Sequence, residues 1–441
     1  MAATIHPLFE TPLPDGWKLA TVDEIKSPEK SSCVAGPFGS NISSKYFVES
    51  GVPIIRGGNL RDDLTRFVPD GFAFVSEEQA TNYKAQHVRG GDLVFTCWGT
   101  VGQVGLIPDN GTFPEYIISN KQLKLRPNLE ITDPVYLFFY FAGPKMVQHV
   151  LGKAIGAAVP GINLGILKGL PVVLPPLPVQ RRIAGILSAY DELMENSRRR
   201  IRLLEAMARA LYREWFVHFR FPGHEKHPRV ASPLGDIPQG SEVCALGDLV
   251  QFKSGFAFKS GTFTADGEHR LVTIRNVQDG AFNPESDSRM SELPPNLPPY
   301  CVLKDGDILL SLTGNVGRVC LVYDGPFLLN QRVSKLAPVE AFDWAMTYCM
   351  FREPEMRVKL EQLSNGVAQQ NLSPVLASKM EFARPPRELR QRFAAVAEPM
   401  VRRIVQLYTT IQNLRRTRDL LLPRLLSDQI SLTTKENHAH A

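Results

Sequence analysis

Two segments of the chain repeat apolar residues every seven positions, and both do so in the same register. In the first, Ile183, Tyr190, Ser197, Leu204 and Leu211 follow one another at heptad spacing, with Leu187, Met194, Ile201, Ala208 and Trp215 four residues further on. Adding 210 to each number lands on Phe393, Met400, Leu407, Leu414 and Leu421, accompanied by Ala397, Ile404, Ile411, Arg418 and Leu425. Both segments are rich in Arg, Leu, Ala and Glu and almost free of Gly and Pro, a composition that favours helix. A sustained seven-residue repeat gathers the apolar side chains on one seam, so the spacing predicts two long helices, over 175–217 and 386–428, that pack on each other. Ser197 and Arg418 interrupt the seam, as polar register markers do.

The regions ahead of these helices, 1–174 and 241–385, have a different texture. They are rich in Gly, Pro and short β-branched runs, which predicts mixed α and β structure with strongly twisted sheets. They also repeat each other. GDLVFTCWGTVGQVGL (Gly91 to Leu106) and GDILLSLTGNVGRVCL (Gly306 to Leu321) agree at seven of sixteen positions, 215 residues apart. The echo extends to PDGWKLATVDEI and PQGSEVCALGDL, to VPIIRGGN and VTIRN, to SNKQLKL and LNQRVSKL, and to GAAVPGINL and GVAQQNL. Asp133-Pro134 and Asp343-Trp344 each open a predicted helix, with Pro144 and Pro354 opening the next. The chain is therefore a tandem duplication of about 210 residues. A Pro-rich, polar stretch over 218–240 reads as a linker, and 429–441 as a disordered tail.

Composition narrows the function classes. A chain of 441 residues with 44% apolar content supports more than one core. No apolar run approaches the length of a membrane span and the N-terminus lacks a signal-peptide layout, so the cytoplasm is the expected compartment and no membrane partner is expected. Six cysteines with no CxxC pair fit packing residues in a reducing compartment. A formal charge of +5 permits nucleic-acid binding without announcing it.

Catalytic signals fail when the two copies are compared. GTVGQVG and GNVGRVC lack the Lys of a phosphate-binding P-loop, and their valines continue into another strand where a dinucleotide loop would open a helix. Asp15, Glu24 and Lys26 mimic a nuclease carboxylate–lysine set, but the second copy keeps the turn residues and loses the Asp and Lys. Leu297 interrupts an NPPY-like run in NLPPY, and HEKH at 224–227 lacks the helical i, i+4 spacing of a zinc site. No catalytic residue and no metal ligand is assigned.

Two globular parts, each followed by a long helix that begins at LPPLPVQRRIAGIL or RPPRELRQRFAAVA, together with the paired Gly-rich blocks, resemble the specificity subunit of a Type I restriction-modification enzyme. The resemblance covers nearly the whole chain. It implies an α+β fold of two tandem target recognition domains with twisted β-sheets, separated by two long helices in an antiparallel coiled coil, with a pseudo-twofold internal repeat. It also implies that each domain reads half of a bipartite, asymmetric double-stranded DNA target. The helices would fix the spacer and dock methyltransferase subunits, two of them, with motor-nuclease subunits joining. Cofactors would then sit on those partners, S-adenosylmethionine (SAM) for adenine-N6 methylation and ATP with Mg for translocation and cleavage, and none on this chain. A helix of about 38 residues rises ~57 Å, of order 17 base pairs of DNA, which suits a spacer. The alternative is a stand-alone DNA-binding or coiled-coil interaction protein.

Base readout needs hydrogen-bonding side chains on loops, with cations on phosphates. The candidates are Arg56 and Asn59 with Arg275 and Asn276; Trp98, Thr100 and Gln103 with Thr313, Asn315 and Arg318; and Asn163 with Gln369, Gln370 and Asn371. Lys45, Lys153 and Lys259 are the candidate phosphate contacts. Polar residues kept in both copies can equally be turn caps.

Overall fold

The computed structural model describes residues 4–156, 159–364 and 370–432. The chain divides into two compact units, 1–191 with 416–441 and 192–415, so each unit holds a stretch of both long helices. No helix among the described residues is long and apolar enough to cross a membrane.

Unit 1 is built on a four-stranded antiparallel sheet in the order Cys33–Ala35, Gln122–Leu125, Leu93–Thr96, Val104–Leu106. All four residues of Leu93–Thr96 are buried, which explains a continuous apolar run where a half-exposed strand would alternate. A five-stranded sheet beside it contains Val52–Ile55 running parallel to Tyr116–Ile118. Lys18–Thr21 pairs with Pro171–Leu174 and brings the two ends of the globular part together. Helix Pro134–Ala142 starts where Asp133 accepts the Tyr136 amide and Pro134 supplies a fixed φ, and helix Pro144–Gly152 follows.

Unit 2 repeats this plan. Its four-stranded sheet runs Val250–Ser254, Val333–Pro338, Ile308–Ser311, Val319–Leu321, and His269–Val272 lies parallel to Phe327–Leu329. Glu242–Ala245 pairs with Glu381–Arg384, and helices Trp344–Phe351 and Pro354–Gln362 take the places of the two helices in unit 1.

The long helices span Leu177–Tyr212 and Arg387–Leu426. In unit 1, Ile183 and Leu187 share a core with Leu422 and Leu425, with Leu421 packed against it. In unit 2, Met194, Ile201, Ala208 and Trp215 share a core with Phe393, Ala397, Ile404, Leu407 and Ile411, and Leu204, Leu211, Met400 and Leu414 pack against its margin. Phe393 near the start of the second helix is ringed by Tyr212, Trp215 and Phe216 at the end of the first, with centroids 6.2, 5.8 and 5.0 Å away. The pairing is thus antiparallel, and the predicted seam is a real packing surface. Tyr190 is half-buried. The two polar interruptions have distinct solutions: the Ser197 hydroxyl donates to the Leu193 carbonyl at 2.8 Å, and the buried Arg418 pairs with Asp191 at 2.7 Å, which also receives Arg66 at 3.2 Å.

Two expectations change. The stretch 218–240, expected as a linker, is folded: Phe221 and Ile237 are buried, and Arg229–Val230 pairs with Ile237–Pro238. Its polarity hid two apolar anchors, of which Phe221 joins the unit 2 core. Residues 429–432, expected as the start of a disordered tail, are ordered: Ile430 and Leu432 pack on the unit 1 core and the Arg182 guanidinium donates to the Leu432 carbonyl; the rest of that expected tail, 433–441, lies outside the described residues.

His6 fastens the N-terminal segment to the end of the second helix. Its Nε2 donates to the Leu426 carbonyl at 3.2 Å, and its Nδ1 accepts the Leu8 amide at 3.2 Å, an arrangement that only the neutral ring satisfies. Burial pushes its pKa down to about 4 against the pull of the Leu426 carbonyl.

Phe393→Ala is expected to cost about 3–5 kcal/mol of unit 2 stability, read as a lower urea midpoint. For His6, the unfolded chain takes up a proton near 6.5 while the folded chain resists until about 4. Stability therefore falls as pH drops through that window, by roughly 2–3 kcal/mol, and the melting temperature of His6→Gln should depend less steeply on pH there.

Candidate nucleic-acid interface

Strand directions bring the candidate loops of unit 1 to one edge. Val52–Ile55 and its parallel neighbour Tyr116–Ile118 end side by side, with the Ser119 amide donating to the Ile55 carbonyl at 3.2 Å. The chain turns at 119–121 and returns as Gln122–Leu125, whose antiparallel neighbours Cys33–Ala35 and Leu93–Thr96 finish at that same edge. Backbone bonds then lock the loops together: the Gly36 amide to the Gln122 carbonyl at 2.8 Å, Cys97 to Lys121 at 2.8 Å and Ile162 to Cys97 at 2.9 Å. Gly36 lies so close to this turn that a Cβ there would sit 1.9 Å from the Ser119 oxygen.

Unit 2 forms its own edge by the same bonds. The Gly255 amide donates to Val333 at 3.1 Å, Leu312 to Arg332 at 3.1 Å and Leu372 to Leu312 at 2.8 Å. A Cβ on Gly255 would meet the Asn330 oxygen at 2.2 Å.

The Gly-rich blocks are the hairpin turns of these edges. Gly99 and Gly102 have φ of +88° and +104°, and Gly314 and Gly317 have +77° and +82°, values that favour glycine and let the turn connect antiparallel strands. Each turn leads into a strand, as the valines predict, and the phosphate-loop alternative falls away. On the unit 1 turn Trp98 is 43% exposed, and Thr100 is exposed and donates its hydroxyl to the Gln103 Oε1 at 2.6 Å. On the unit 2 turn the half-buried Thr313 donates to the Asn371 Oδ1 at 2.9 Å, Asn315 is exposed, and the Arg318 guanidinium donates to the Gln278 Oε1 at 2.8 Å. The shared backbone thus carries an indole, a hydroxyl and an amide in one copy and a hydroxyl, an amide and a guanidinium in the other. Cys97, at the root of the first turn, is buried and its thiol pushed up to about 11, so it stays protonated at neutral pH.

The structure redistributes several sequence candidates. Asn59 and Asn276 are 2% and 3% exposed, and their amides are spent on the protein. Asn59 accepts the Arg56 amide at 2.8 Å and donates to the Val68 and Asp70 carbonyls. Asn276 accepts the Thr273 amide at 2.8 Å and donates to Asn283 and Glu285. Both brace their loops from inside, which leaves no polar atom for a base, and the expectation of a direct contact is corrected for this pair. The matched bonds also align Arg56 with Thr273 and Arg275 with Gly58, so the two exposed arginines are not equivalents.

A two-residue shift corrects the last pair of loops. Gly161 bridges Trp98 where Asn371 bridges Thr313, so Asn371 corresponds to Gly161. Asn163 corresponds to Ser373: each accepts a backbone amide as the cap of a short helix. Gln370 and Asn371 are exposed on the unit 2 edge, the Gln370 carbonyl accepting the Gly314 amide at 3.1 Å, and Gln369 lies outside the described residues. Lys45 is exposed over the Tyr46 ring, Lys153 caps helix Pro144–Gly152 two residues before the Ile155–Gly161 bridge, and Lys259 is exposed four residues beyond Gly255.

Residues 37–206 match the family described as Type I restriction modification DNA specificity domain. The Type I restriction enzyme MjaIX specificity subunit of Methanocaldococcus jannaschii is 22% identical over 429 residues, 95% of this chain and 94% of the relative. The MjaVIII specificity subunit of that organism is 29% identical over 269 residues, 59% of this chain, and the match spans only 62% of the relative's length. The crystal structure of a Type I restriction-modification S subunit from M. genitalium shares the fold, with a TM-score of 0.54 over 93% of this chain and 96% of that one at 15% identity. Residues 37–206 thus carry the DNA specificity domain of Type I restriction-modification systems, and over most of its length the chain is similar to Type I restriction enzyme specificity subunits.

Two exposed cations went unnoticed in the sequence. Lys121 and Arg332 occupy one equivalent position, each giving its carbonyl to the root of the hairpin turn, to Cys97 and Leu312. The signal was present as the dipeptides Asn120-Lys121 and Gln331-Arg332 just before a matched strand, but they read as strand-flanking residues. Phe38, between Gly36 and Gly39, was also overlooked.

The two kinds of neighbour separate experimentally. Asn276→Ala should cost about 1–3 kcal/mol by stranding buried backbone groups, whereas Arg275→Ala on the exposed side should stay within about 0.5 kcal/mol, both read from urea unfolding.

Proposed function

We propose that each unit of this specificity subunit binds one half of a bipartite, asymmetric DNA sequence. The observation that carries this reading is the duplicated edge: one backbone arrangement, held by matching bonds, presents Trp98, Thr100 and Gln103 in one copy and Thr313, Asn315 and Arg318 in the other. Keeping the frame while changing its donors and acceptors is what reading two different half-sites requires. Arg56, Arg275, Lys121 and Arg332 supply positive charge on those edges, with Lys45, Lys153 and Lys259 on phosphates.

The two paired helices set the spacer between half-sites and dock two methyltransferase subunits, and motor-nuclease subunits join through that complex. Chemistry belongs to these partners: SAM-dependent methylation of adenine N6 on one, ATP- and Mg-dependent translocation and cleavage on the other. The chain itself contributes recognition, working in the cytoplasm.

Mapping of methyladenine across the genome of cells carrying the methyltransferase, with and without this chain, tests the reading. The expected result is a single bipartite motif with unlike halves, present only with the chain. Exchange of Thr313, Asn315 and Arg318 for their unit 1 counterparts should relax or change one half and leave the other untouched. A continuous motif, or methylation by this chain with SAM and no partner, overturns it.

A further inference from the structure

Phe38 is 90% exposed, more than any other large apolar residue described. Single apolar residues on a surface are ordinary, and on a loose loop this would need no account. Here the loop is fixed. Gly36 is pressed against the Ser119 carbonyl, and its amide donates to Gln122 at 2.8 Å. The Asn41 backbone amide donates to the Phe38 carbonyl at 3.2 Å, the Tyr83 hydroxyl donates to the Asn41 carbonyl, and the Asn120 side-chain Nδ2 donates to the Gly39 carbonyl at 3.4 Å. The phenyl ring is thus held in water, against its hydration preference, by a turn anchored directly to the unit 1 edge that also presents Arg56, Lys121 and Trp98.

Unit 2 has no such ring. Gly255 stands where Gly36 does, and two residues on is Ala257, while Phe258 beyond it is buried in a local apolar cluster. The feature is therefore specific to one copy and is no requirement of the shared frame.

Resting on the DNA-reading function proposed above, we propose that Phe38 is a wedge that inserts against a base step in the half-site read by unit 1 and unstacks it. An apolar ring, fixed in advance and flanked by cations that hold the phosphates, is suited to opening a stacked step, and the opened step repays the exposed ring with burial. Unit 2 reads its half-site without such an opening. Sequence discrimination in the first half then includes how readily a step unstacks, so a flexible pyrimidine–purine step is favoured at the wedge.

The test uses the full chain in complex with its methyltransferase and duplexes carrying the motif found by methyladenine mapping, with 2-aminopurine placed at successive positions of both halves. The expected result is a several-fold rise in fluorescence at one step of one half-site, lost in Phe38→Ala together with about tenfold of DNA affinity and retained in Phe38→Trp. Complex assembly, followed by size-exclusion chromatography, should be the same for all three. If wild type selects a bipartite motif and Phe38→Ala matches it in affinity and fluorescence, the wedge is wrong while the recognition function stands. If Phe38→Ala impairs assembly and spares DNA binding, the ring is a protein contact and the wedge is equally overturned. If wild type selects no bipartite motif, it is the recognition function that fails.

Discussion

Burial of the heptad seam is the constraint on which each unit depends. Neither globular part closes its core alone: in unit 1 the core runs on into Ile183, Leu187, Leu422 and Leu425, and in unit 2 into Ala208, Trp215, Phe393 and Leu407. The helices are therefore more than connectors, since removing their seam would expose the underside of the sheets and helices they cover. Polar breaks in the seam are matched by specific partners, a local carbonyl for Ser197 and a carboxylate for Arg418. A buried guanidinium needs its carboxylate, so Arg418 and Asp191 fix the helix register in unit 1 more sharply than apolar contact would.

On this base the two edges proposed to read DNA are made rigid from behind. Close backbone approaches at Gly36 and Gly255, and the inward-facing amides of Asn59 and Asn276, hold loops whose outer side chains are free to differ. Readout by hydrogen bonds depends on donors and acceptors being in place before DNA arrives, because the entropy lost in ordering a loop at the moment of binding would offset the bonds it makes. The division of labour is visible within single dipeptides: Arg275 faces water while Asn276 faces the protein.

Much of this was legible in the sequence, and the misses share a cause. The heptads specified both helices and their pairing, because seven-residue periodicity has few other solutions. The repeat identified the two hairpin turns, because glycine at positive φ is demanded by the backbone. Side-chain direction was less accessible. Asn59 and Asn276 carry the chemistry of base readers and lie on loops beside the candidate edges, but alternation in an irregular turn does not say which residue points inward. Lys121 and Arg332 were passed over because the nearby strand explained their surroundings. The pairing of Asn163 with Asn371 slipped by two residues because a common Asn-Leu dipeptide outweighed the loop geometry.

The sequence by itself determined a duplicated chain, two amphipathic helices and glycine hairpins, since each arises from local periodicity or a single residue's backbone preference. Only the tertiary structure decided which polar side chains stand at the edges and which brace them, and that 218–240 folds around Phe221 and Ile237. The exposure of Phe38 was decided at the same level: a GPFG run allows the ring to pack or to protrude, and the Gly36 bond to the Gln122 carbonyl, with the bonds donated by Asn120 and Tyr83, holds the loop backbone where the ring protrudes. These outcomes turn on burial and on hydrogen bonds between residues far apart in the chain, so no local pattern encodes them.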